Sequence, residues 1–285
     1  MRLCLDFGID ISLLAPSGHF IASVIGDSAG NVLLRREQFR IADDPERGAP
    51  IVRNMLLGKL GNSRNVLVRG LKDHPETRDS ELISKAINAI VEGSTRLIST
   101  DDFGVMRSIE GDCAKRYFKA IDVMIRRNKN QFFIDGRNRR PPCDRMNAFM
   151  SFMYAVMTNE IRSALSSAGL DPYVGFLHTD RPGRLSLALD MLEEFRPVVD
   201  RFVLTTVNRL EIGPDDFEEY ASGAVMLNDD GRKAVLSRWR ETKKKEITHP
   251  YLGEDVEFGL IPQIQSHLLA AHVRGDIPGY PPYVA

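Results

Sequence analysis

The chain has 285 residues, of which 43% are hydrophobic and 27% are charged, and its formal net charge at pH 7 is −1. This is the composition of a globular protein, and the balanced charge excludes a protein that binds nucleic acid through a strongly basic overall charge. A nucleic-acid interface would therefore have to come from local basic segments.

The sequence contains no apolar run of bilayer-spanning length and no basic-then-apolar leader. Its cysteines, Cys4, Cys113 and Cys143, are scattered and lack the spacing of metal ligands. We therefore expect no membrane association, no disulfide framework and a reducing cytoplasmic environment.

The chain starts with strand-like segments and then changes to helical periodicity. Residues 9–14 and 19–25, joined by turn residues at 16–18, predict a β-hairpin, which is not stable alone and must pair with something. Up to residue 127, the pattern predicts helices at 31–41, 50–60, 62–71, 80–92 and 100–127. Pro50 is expected to open the second of these helices and Ser80 to cap the fourth.

The helix predicted at 100–127 carries Glu110 on or beside its apolar stripe. One interpretation is a glutamate at the edge of the core, paired with a neighbouring arginine or a backbone group. The other places Glu110 in or next to an active site. The residues alone leave both open, because structural ion pairs and active-site carboxylates look alike in sequence.

Residues 135–145, DGRNRRPPCDR, form a basic loop in which Pro141 and Pro142 forbid helix. Its arginines are Arg137, Arg139, Arg140 and Arg145. Guanidinium groups match phosphate oxygens in a fork, which favours a phosphate-contacting loop, and the alternative is a solvated loop paired with local acids. A second basic element is the turn with Arg181 and Arg184.

The stretch from residue 146 to 197 holds the candidate chemistry. Apolar residues recur with helical spacing from 146 to 168, and Glu160 lies on the same stripe, where an unpaired charge would be costly. A short apolar run ends in His178, and the next predicted helix, 185–195, places Asp190 and Glu193 at i, i+3 on one face. A cation shared by these side chains would supply the partner that Glu160 needs.

Carboxylates with an imidazole suit Mg²⁺ or Mn²⁺, and such an ion beside arginines suits phosphoryl transfer at a nucleic-acid backbone. By spacing alone, a hydrogen-bonded structural cluster fits the same residues. The remaining chain predicts helices at 198–208, 214–221, about 231–245 and 261–274, with an apolar piece at 224–227. His267 and His272, at i, i+5, do not share a helical face and are interpreted as structural.

The string GLDPYVGFLHTDRPGRLSLALDMLEEFRP at 169–197 resembles the signature of CRISPR-associated protein one, the adaptation integrase. The resemblance extends to GNVLLRREQ at 30–38, EGDCAKRYF at 110–118, GRNRRPPCDRMNA at 136–148 and the C-terminal stretch 249–283. It covers nearly the whole chain, and the variety looks most similar to the type I-C form.

This resemblance implies a mainly α protein, with a helical catalytic domain at 30–285 behind a small β domain. Family members carry several strands before the hairpin, so residues 1–29 are expected to be the remnant of an incomplete β domain. The family forms homodimers, works with CRISPR-associated protein two and binds double-stranded DNA. It inserts foreign fragments as spacers into a repeat array by transesterification, and it also cleaves DNA with a metal ion.

The same resemblance assigns the metal, Mg²⁺ or Mn²⁺, to Glu160, His178 and Glu193, and gives Asp190 a supporting role at the catalytic site. It makes DNA-contact candidates of Arg137, Arg139, Arg140 and Arg184. Two alternatives stay open: a non-catalytic DNA-binding or scaffolding subunit of the adaptation complex, and a metal-dependent hydrolase of small phosphoesters.

Overall fold

Helices carry most of the chain in the computed structural model, which describes residues 3–4, 11–15, 20–24, 31–75, 79–138, 141–179 and 181–285. The α-helices are α1 Val32–Ala42, α2 Pro45–Asp73, α3 Ser80–Ile98, α4 Phe103–Val123, α5 Arg145–Ser167, α6 Ser186–Asn208, α7 Asp229–Lys243 and α8 Ile261–Arg274. The strands are β1 Ile11–Leu14, β2 Phe20–Val24, β3 Phe217–Glu219, β4 Val225–Leu227, β5 Glu246–Thr248 and β6 Asp255–Glu257. The prediction of a mainly α fold is confirmed.

The strands pair as short antiparallel hairpins, β1 with β2, β3 with β4 and β5 with β6. In the first hairpin Ile11 lies opposite Val24 and Leu13 opposite Ala22. The predicted hairpin is thus confirmed over shorter strands, and its predicted turn at 16–18 lies outside the described residues. The division of the chain at residue 30 stays a prediction.

The chain forms two compact units, and the boundaries between them inside helices fall in α2, α5, α6 and α7. The first unit consists of Met1–Leu56, Ala155–Glu193 and Thr242–Tyr283, and the second of Leu57–Tyr154, Glu194–Glu241 and Val284–Ala285. Glu160, His178, Asp190 and Glu193 all belong to the first unit. Within the described residues, no helix combines the length and apolar content needed to cross a bilayer.

In the first unit, α1 packs against α8. Leu34 and Ile41 of α1 and Leu269 and Val273 of α8 are buried, and these are the apolar positions that helical periodicity assigns to the inner faces. Helix α8 has the predicted bounds, and it ends at Gly275 with a φ of +84°, a left-handed conformation that glycine adopts without strain.

In the second unit, α3 packs closely against α4 at Gly93. A Cβ atom at Gly93 would lie 2.5 Å from the Cys113 Sγ, so this contact requires glycine. The packing explains why α3 continues to Ile98 and does not end at residue 92 as predicted. The predicted cap was also wrong, because Asp79 occupies the N-cap position that the sequence assigned to Ser80.

A buried polar cluster around Asp200 lies in the second unit. The Tyr154 hydroxyl donates a hydrogen bond to the Asp200 carboxylate, and the Arg196 guanidinium lies 4.8 Å from the centre of the Tyr154 ring. Burial raises the pKa of Asp200 to about 6, against the opposing effects of the Tyr154 hydrogen bond and of Arg137 and Arg196. The cluster therefore carries a carboxyl group that titrates near pH 6.

Two pairs of predicted helices are single helices in the structure. Helices at 50–60 and 62–71 were predicted, but α2 runs continuously through Gly61, against whose position the Val284 side chain packs at 3.3 Å. Pro50 lies inside the helix, and the Glu46 carbonyl that it leaves without a helical donor belongs to an exposed residue. Likewise, α6 continues through Pro197, where a break was predicted.

The predicted acidic helix at 214–221 was wrong. A 3₁₀ turn, Pro214–Asp216, leads into β3, which pairs with β4. Phe217 is buried, and its ring packs edge-on against Phe132 with centroids 5.7 Å apart, while the next residues are exposed. An aromatic residue with this burial pattern stabilises a short strand better than a helix.

Candidate active site

The Asp190 side chain accepts several hydrogen bonds from the loop between α5 and α6, and this loop carries His178. The Asp190 side chain is buried on α6, where Oδ2 accepts hydrogen bonds from the backbone N–H groups of Phe176 at 2.6 Å and Leu177 at 2.9 Å. Oδ1 lies 2.9 Å from the His178 backbone nitrogen and 2.5 Å from its ring Nδ1. One carboxylate therefore binds four nitrogen atoms of the loop.

This contact fixes the orientation of the His178 ring. Because a carboxylate accepts hydrogen bonds, the proton of the neutral ring is placed on Nδ1, which leaves the Nε2 lone pair for a metal or a proton. The His178 side chain is 22% exposed and that of Asp190 is 0% exposed, so the ring is accessible while its partner is not. A carboxylate–histidine pair of this kind is the usual support of a metal-binding imidazole.

Gly175 makes the close approach of Asp190 possible. A Cβ atom at this position would lie 2.7 Å from the Asp190 Oδ2 and 2.8 Å from the Ser186 carbonyl carbon. Both neighbours are fixed, one by its hydrogen bonds and the other by the first turn of α6. Glycine is therefore required for steric reasons.

The start of the same loop is held by Gln38, a residue that sequence reasoning missed. Its side chain is fully buried on α1, its Nε2 donates to the carbonyls of Asp171 and Val174 at 2.8 Å each, and its Oε1 accepts from the Asp171 N–H at 2.9 Å. The available signal was position, because Gln38 follows Leu34 by four residues and precedes Ile41 by three, on the buried stripe.

Thr179, which follows His178 near the end of the loop, is held by Ser186. The Thr179 carbonyl oxygen accepts a hydrogen bond from the Ser186 hydroxyl at 3.3 Å and lies 3.5 Å from the Arg184 Nη1. The half-buried Arg184 thus contacts the loop next to His178 with one end of its guanidinium group, and its contact with DNA stays a prediction.

Glu160 of α5 forms an ion pair with Lys243 at the C-terminus of α7, with 2.8 Å between Oε1 and Nζ. The sequence offered a shared cation as the partner that Glu160 needs. In the structure Glu160 pairs with Lys243. Lys243 is therefore a second residue that sequence reasoning missed.

Glu193 is buried on α6, one turn after Asp190. Within the part of the chain that the structure describes, no three or more His, Cys, Asp or Glu side chains form a group that could hold a metal ion. The structure thus brings His178 together with Asp190, and Glu160 together with Lys243, but it does not gather Glu160, His178 and Glu193 around one point.

The basic loop is described only in part, since Arg139 and Arg140 lie outside the described residues. The Arg137 guanidinium carbon lies 5.1 Å from the centre of the Phe118 ring and 5.5 Å from that of Tyr154, and its Nη1 donates to the Asn147 amide oxygen. Stacking holds Arg137 within the second unit, and its contact with DNA stays a prediction.

Glu110 pairs with Lys59 within the second unit. This is the ion pair that the structural interpretation anticipated, with lysine in place of arginine. His267 contacts Gln263 at 3.1 Å, and the His272 ring lies 3.3 Å from the Ile277 carbonyl oxygen, which agrees with structural roles for both.

The fold is shared with solved structures whose sequences are distant. A casposase bound to its integration product matches with a TM-score of 0.82 at 22% identity, over 97% of this chain and 74% of that one. A CAS1 protein from Thermotoga maritima matches with a TM-score of 0.78 at 22% identity, over 96% and 81%. The chain thus has the fold of this casposase and this CAS1 protein.

Closer relatives define the family. The family model of CRISPR associated protein Cas1 matches residues 1–241. A CRISPR-associated endonuclease Cas1 of Chlorobaculum tepidum is 45% identical over 99% of this chain and 82% of its own length, and one of Rhodospirillum rubrum is 45% identical over 99% and 83%. The chain belongs to the family of CRISPR-associated protein Cas1.

Proposed function

We propose that this chain is a Mg²⁺- or Mn²⁺-dependent DNA endonuclease and integrase of CRISPR adaptation. The relatives that share 45% of its residues are named endonucleases, and the match extends through the loop and helices that carry His178. The observation that carries the proposal is the contact between Asp190 and the His178 ring, since it prepares an accessible imidazole as a ligand.

Glu160, His178 and Glu193 would hold the ion. Their donor chemistry fits, because two carboxylates and one imidazole suit Mg²⁺ and, still better, Mn²⁺. When bound, such an ion polarises a phosphoryl oxygen and lowers the pKa of a coordinated water or hydroxyl group. Asp190 has the supporting role, because its oxygen atoms already accept the hydrogen bonds of the loop.

The protein's own contribution is to hold the imidazole in place. Gln38 fixes the start of the loop, Asp190 its centre and Ser186 its end, so the His178 ring has little freedom to rotate. Such positioning removes an entropic cost before the reaction begins. Arg137, Arg139, Arg140 and Arg184 are proposed to bind phosphates, which sets the position of the strand without reading its sequence.

The proposal includes a homodimer that works with a second CRISPR protein on double-stranded DNA in the cytoplasm, and insertion of spacers by transesterification. Two structures with the same fold are complexes of a Cas6–RT–Cas1 chain with Cas2, matching with TM-scores of 0.76 and 0.77 at 18% identity. The type I-C variety and the shortened β domain stay predictions.

The test is a cleavage and strand-transfer assay with Mn²⁺ on double-stranded DNA. We expect Glu160→Gln, His178→Ala and Glu193→Gln to lose at least about 100-fold in rate, since each removes one ligand of the ion. The matched controls are His267→Ala and Glu254→Gln, which change the same residue types at exposed positions and should keep the wild-type rate.

Other outcomes point to other functions. DNA binding without any Mn²⁺-dependent cleavage or transfer by the wild type would contradict catalysis and leave a scaffolding subunit. Turnover of small phosphoesters that exceeds turnover of DNA would favour the hydrolase alternative. Wild-type rates in all three ligand variants would refute the assigned site.

A further inference from the structure

Lys243 lies where a cation would bind the Glu160 carboxylate. The Nζ–Oε1 distance is 2.8 Å, and the side chains of Lys243 and Glu160 are 33% and 24% exposed. The pair is therefore partly shielded from water, which strengthens the attraction, but neither group is sealed from solvent. An ion pair of this kind can exchange its cation.

The backbone around Lys243 is held so that the side chain reaches Glu160. A Cβ atom at Gly259 would lie 3.1 Å from the Lys243 Cβ and 3.6 Å from its Cδ, so the lysine stem lies directly against the glycine. The Phe258 N–H donates to the Lys245 carbonyl at 2.8 Å, which closes the hairpin that follows α7. These contacts fix the base of the side chain, and the Glu160 ion pair is the contact of its ammonium end.

We propose that the Lys243 ammonium is an internal counter-cation of Glu160, which a divalent ion must displace. The inference rests on the proposed function, because it takes Glu160 as a ligand of that ion. A divalent ion bound to the Glu160 carboxylate repels the Lys243 ammonium. It also partly neutralises the negative charge that attracts the ammonium. Binding of the ion and release of Lys243 are therefore linked, and each opposes the other.

The first test measures Mn²⁺ binding by calorimetry with the 285-residue chain. Lys243→Met keeps the aliphatic stem and removes the charge, so we expect about fivefold tighter Mn²⁺ binding, the change that corresponds to loss of a competing ion pair of about 1 kcal/mol. The matched control is Lys245→Met, which removes the same charge from an exposed residue two positions on and should bind like the wild type.

The second test needs no variant. Lysine acylation followed by mass spectrometry reports how available each amine is, and we expect Mn²⁺ to increase the labelling rate of Lys243 severalfold. Lys59 is the internal control, because it forms the same kind of pair with Glu110 in the other unit and should not respond.

The outcomes distinguish failure of the counter-cation role of Lys243 from failure of the proposed metal site. If Mn²⁺ binds and Glu160→Gln abolishes binding, but Lys243→Met binds no more tightly and Lys243 labelling does not rise, the counter-cation role is refuted and the metal site stands. If Glu160→Gln binds Mn²⁺ like the wild type, the ligand role of Glu160 is refuted and the inference falls with it.

Discussion

Replacing Gly175 with alanine tests whether the geometry around Asp190 positions His178. The added Cβ would lie 2.7 Å from the Asp190 Oδ2, about 0.7 Å inside the shortest ordinary contact of 3.4 Å. A shift of that size would lengthen the hydrogen bonds of 2.6–2.9 Å between Asp190 and the loop to about 3.3–3.6 Å, beyond the useful range. We expect a loss of about 1–3 kcal/mol in the free energy of unfolding, the usual cost of overpacking.

The effect on activity should be larger than the effect on stability. Misplacing a reacting group by about 1 Å costs on the order of 100-fold in rate, so Mn²⁺-dependent cleavage should fall by about that factor at a temperature where the variant is folded. Urea denaturation measures the free energy of unfolding, and a DNA cleavage assay measures the Mn²⁺-dependent rate.

The matched control is Gly111→Ala. Gly111 is an exposed residue inside α4, and a Cβ atom there would meet nothing within 4 Å. This substitution should leave cleavage unchanged and stabilise the protein by about 0.5–1 kcal/mol, because alanine favours a helix over glycine. If Gly175→Ala behaves like Gly111→Ala in both assays, the close contact with Asp190 does not position His178.

Three further predictions follow from the same contacts. Asp190→Asn should weaken Mn²⁺ binding about 10–100-fold, the usual effect of losing the carboxylate behind a ligand histidine, and unchanged binding in calorimetry would contradict the orienting role. Gln38→Leu keeps the volume but strips two carbonyls and one N–H of their partners, so urea denaturation should show a loss of at least about 3 kcal/mol in the free energy of unfolding, since each unpaired group costs about 1–3 kcal/mol. The pKa of Asp200 is raised from 3.8 to about 6, so the folded state binds more protons than the unfolded state in this window, and stability should fall by up to about 3 kcal/mol as pH rises through it. The Asp200→Asn variant should lack that decline. The prediction is refuted if the free energy of unfolding changes with pH equally in the wild type and in the variant between about pH 4 and 7.

Helical periodicity predicted the bounds of a helix correctly where burial and local residue preferences favour the same segment. Helix α8 has its predicted bounds because its apolar stripe, the proline in its first turn and the terminal Gly275 all favour the same segment. The prediction failed where tertiary contacts override a local breaker. Gly61 and Gly93 look like helix ends in the sequence, yet each is occupied by glycine because another side chain packs against it.

At the candidate site, too, the sequence indicated which residues take part but not which groups they contact. The residue types and the family resemblance indicated His178, Asp190 and Glu160, but no periodicity reveals which groups they contact. Gln38 lies 133 residues before Asp171 of the loop that it holds, and Lys243 lies 83 residues after Glu160. Pairs of this kind become visible only when the chain is folded, because a sequence pattern reports a residue's burial and not its partner.

The two side-chain pairs at the site, Asp190 with His178 and Lys243 with Glu160, differ in how easily they can be separated, and this difference gives them different roles. Asp190 has a 0% exposed side chain and binds the loop through its backbone, so releasing it would cost several buried hydrogen bonds. Lys243 contacts Glu160 through a partly exposed ion pair, in which another cation can replace the ammonium. Removing the partner of His178 should therefore weaken Mn²⁺ binding, while removing the partner of Glu160 should strengthen it. Opposite signs in one calorimetric experiment would distinguish a positioning residue from a competing one, and a general loss of folding stability could not produce that pattern.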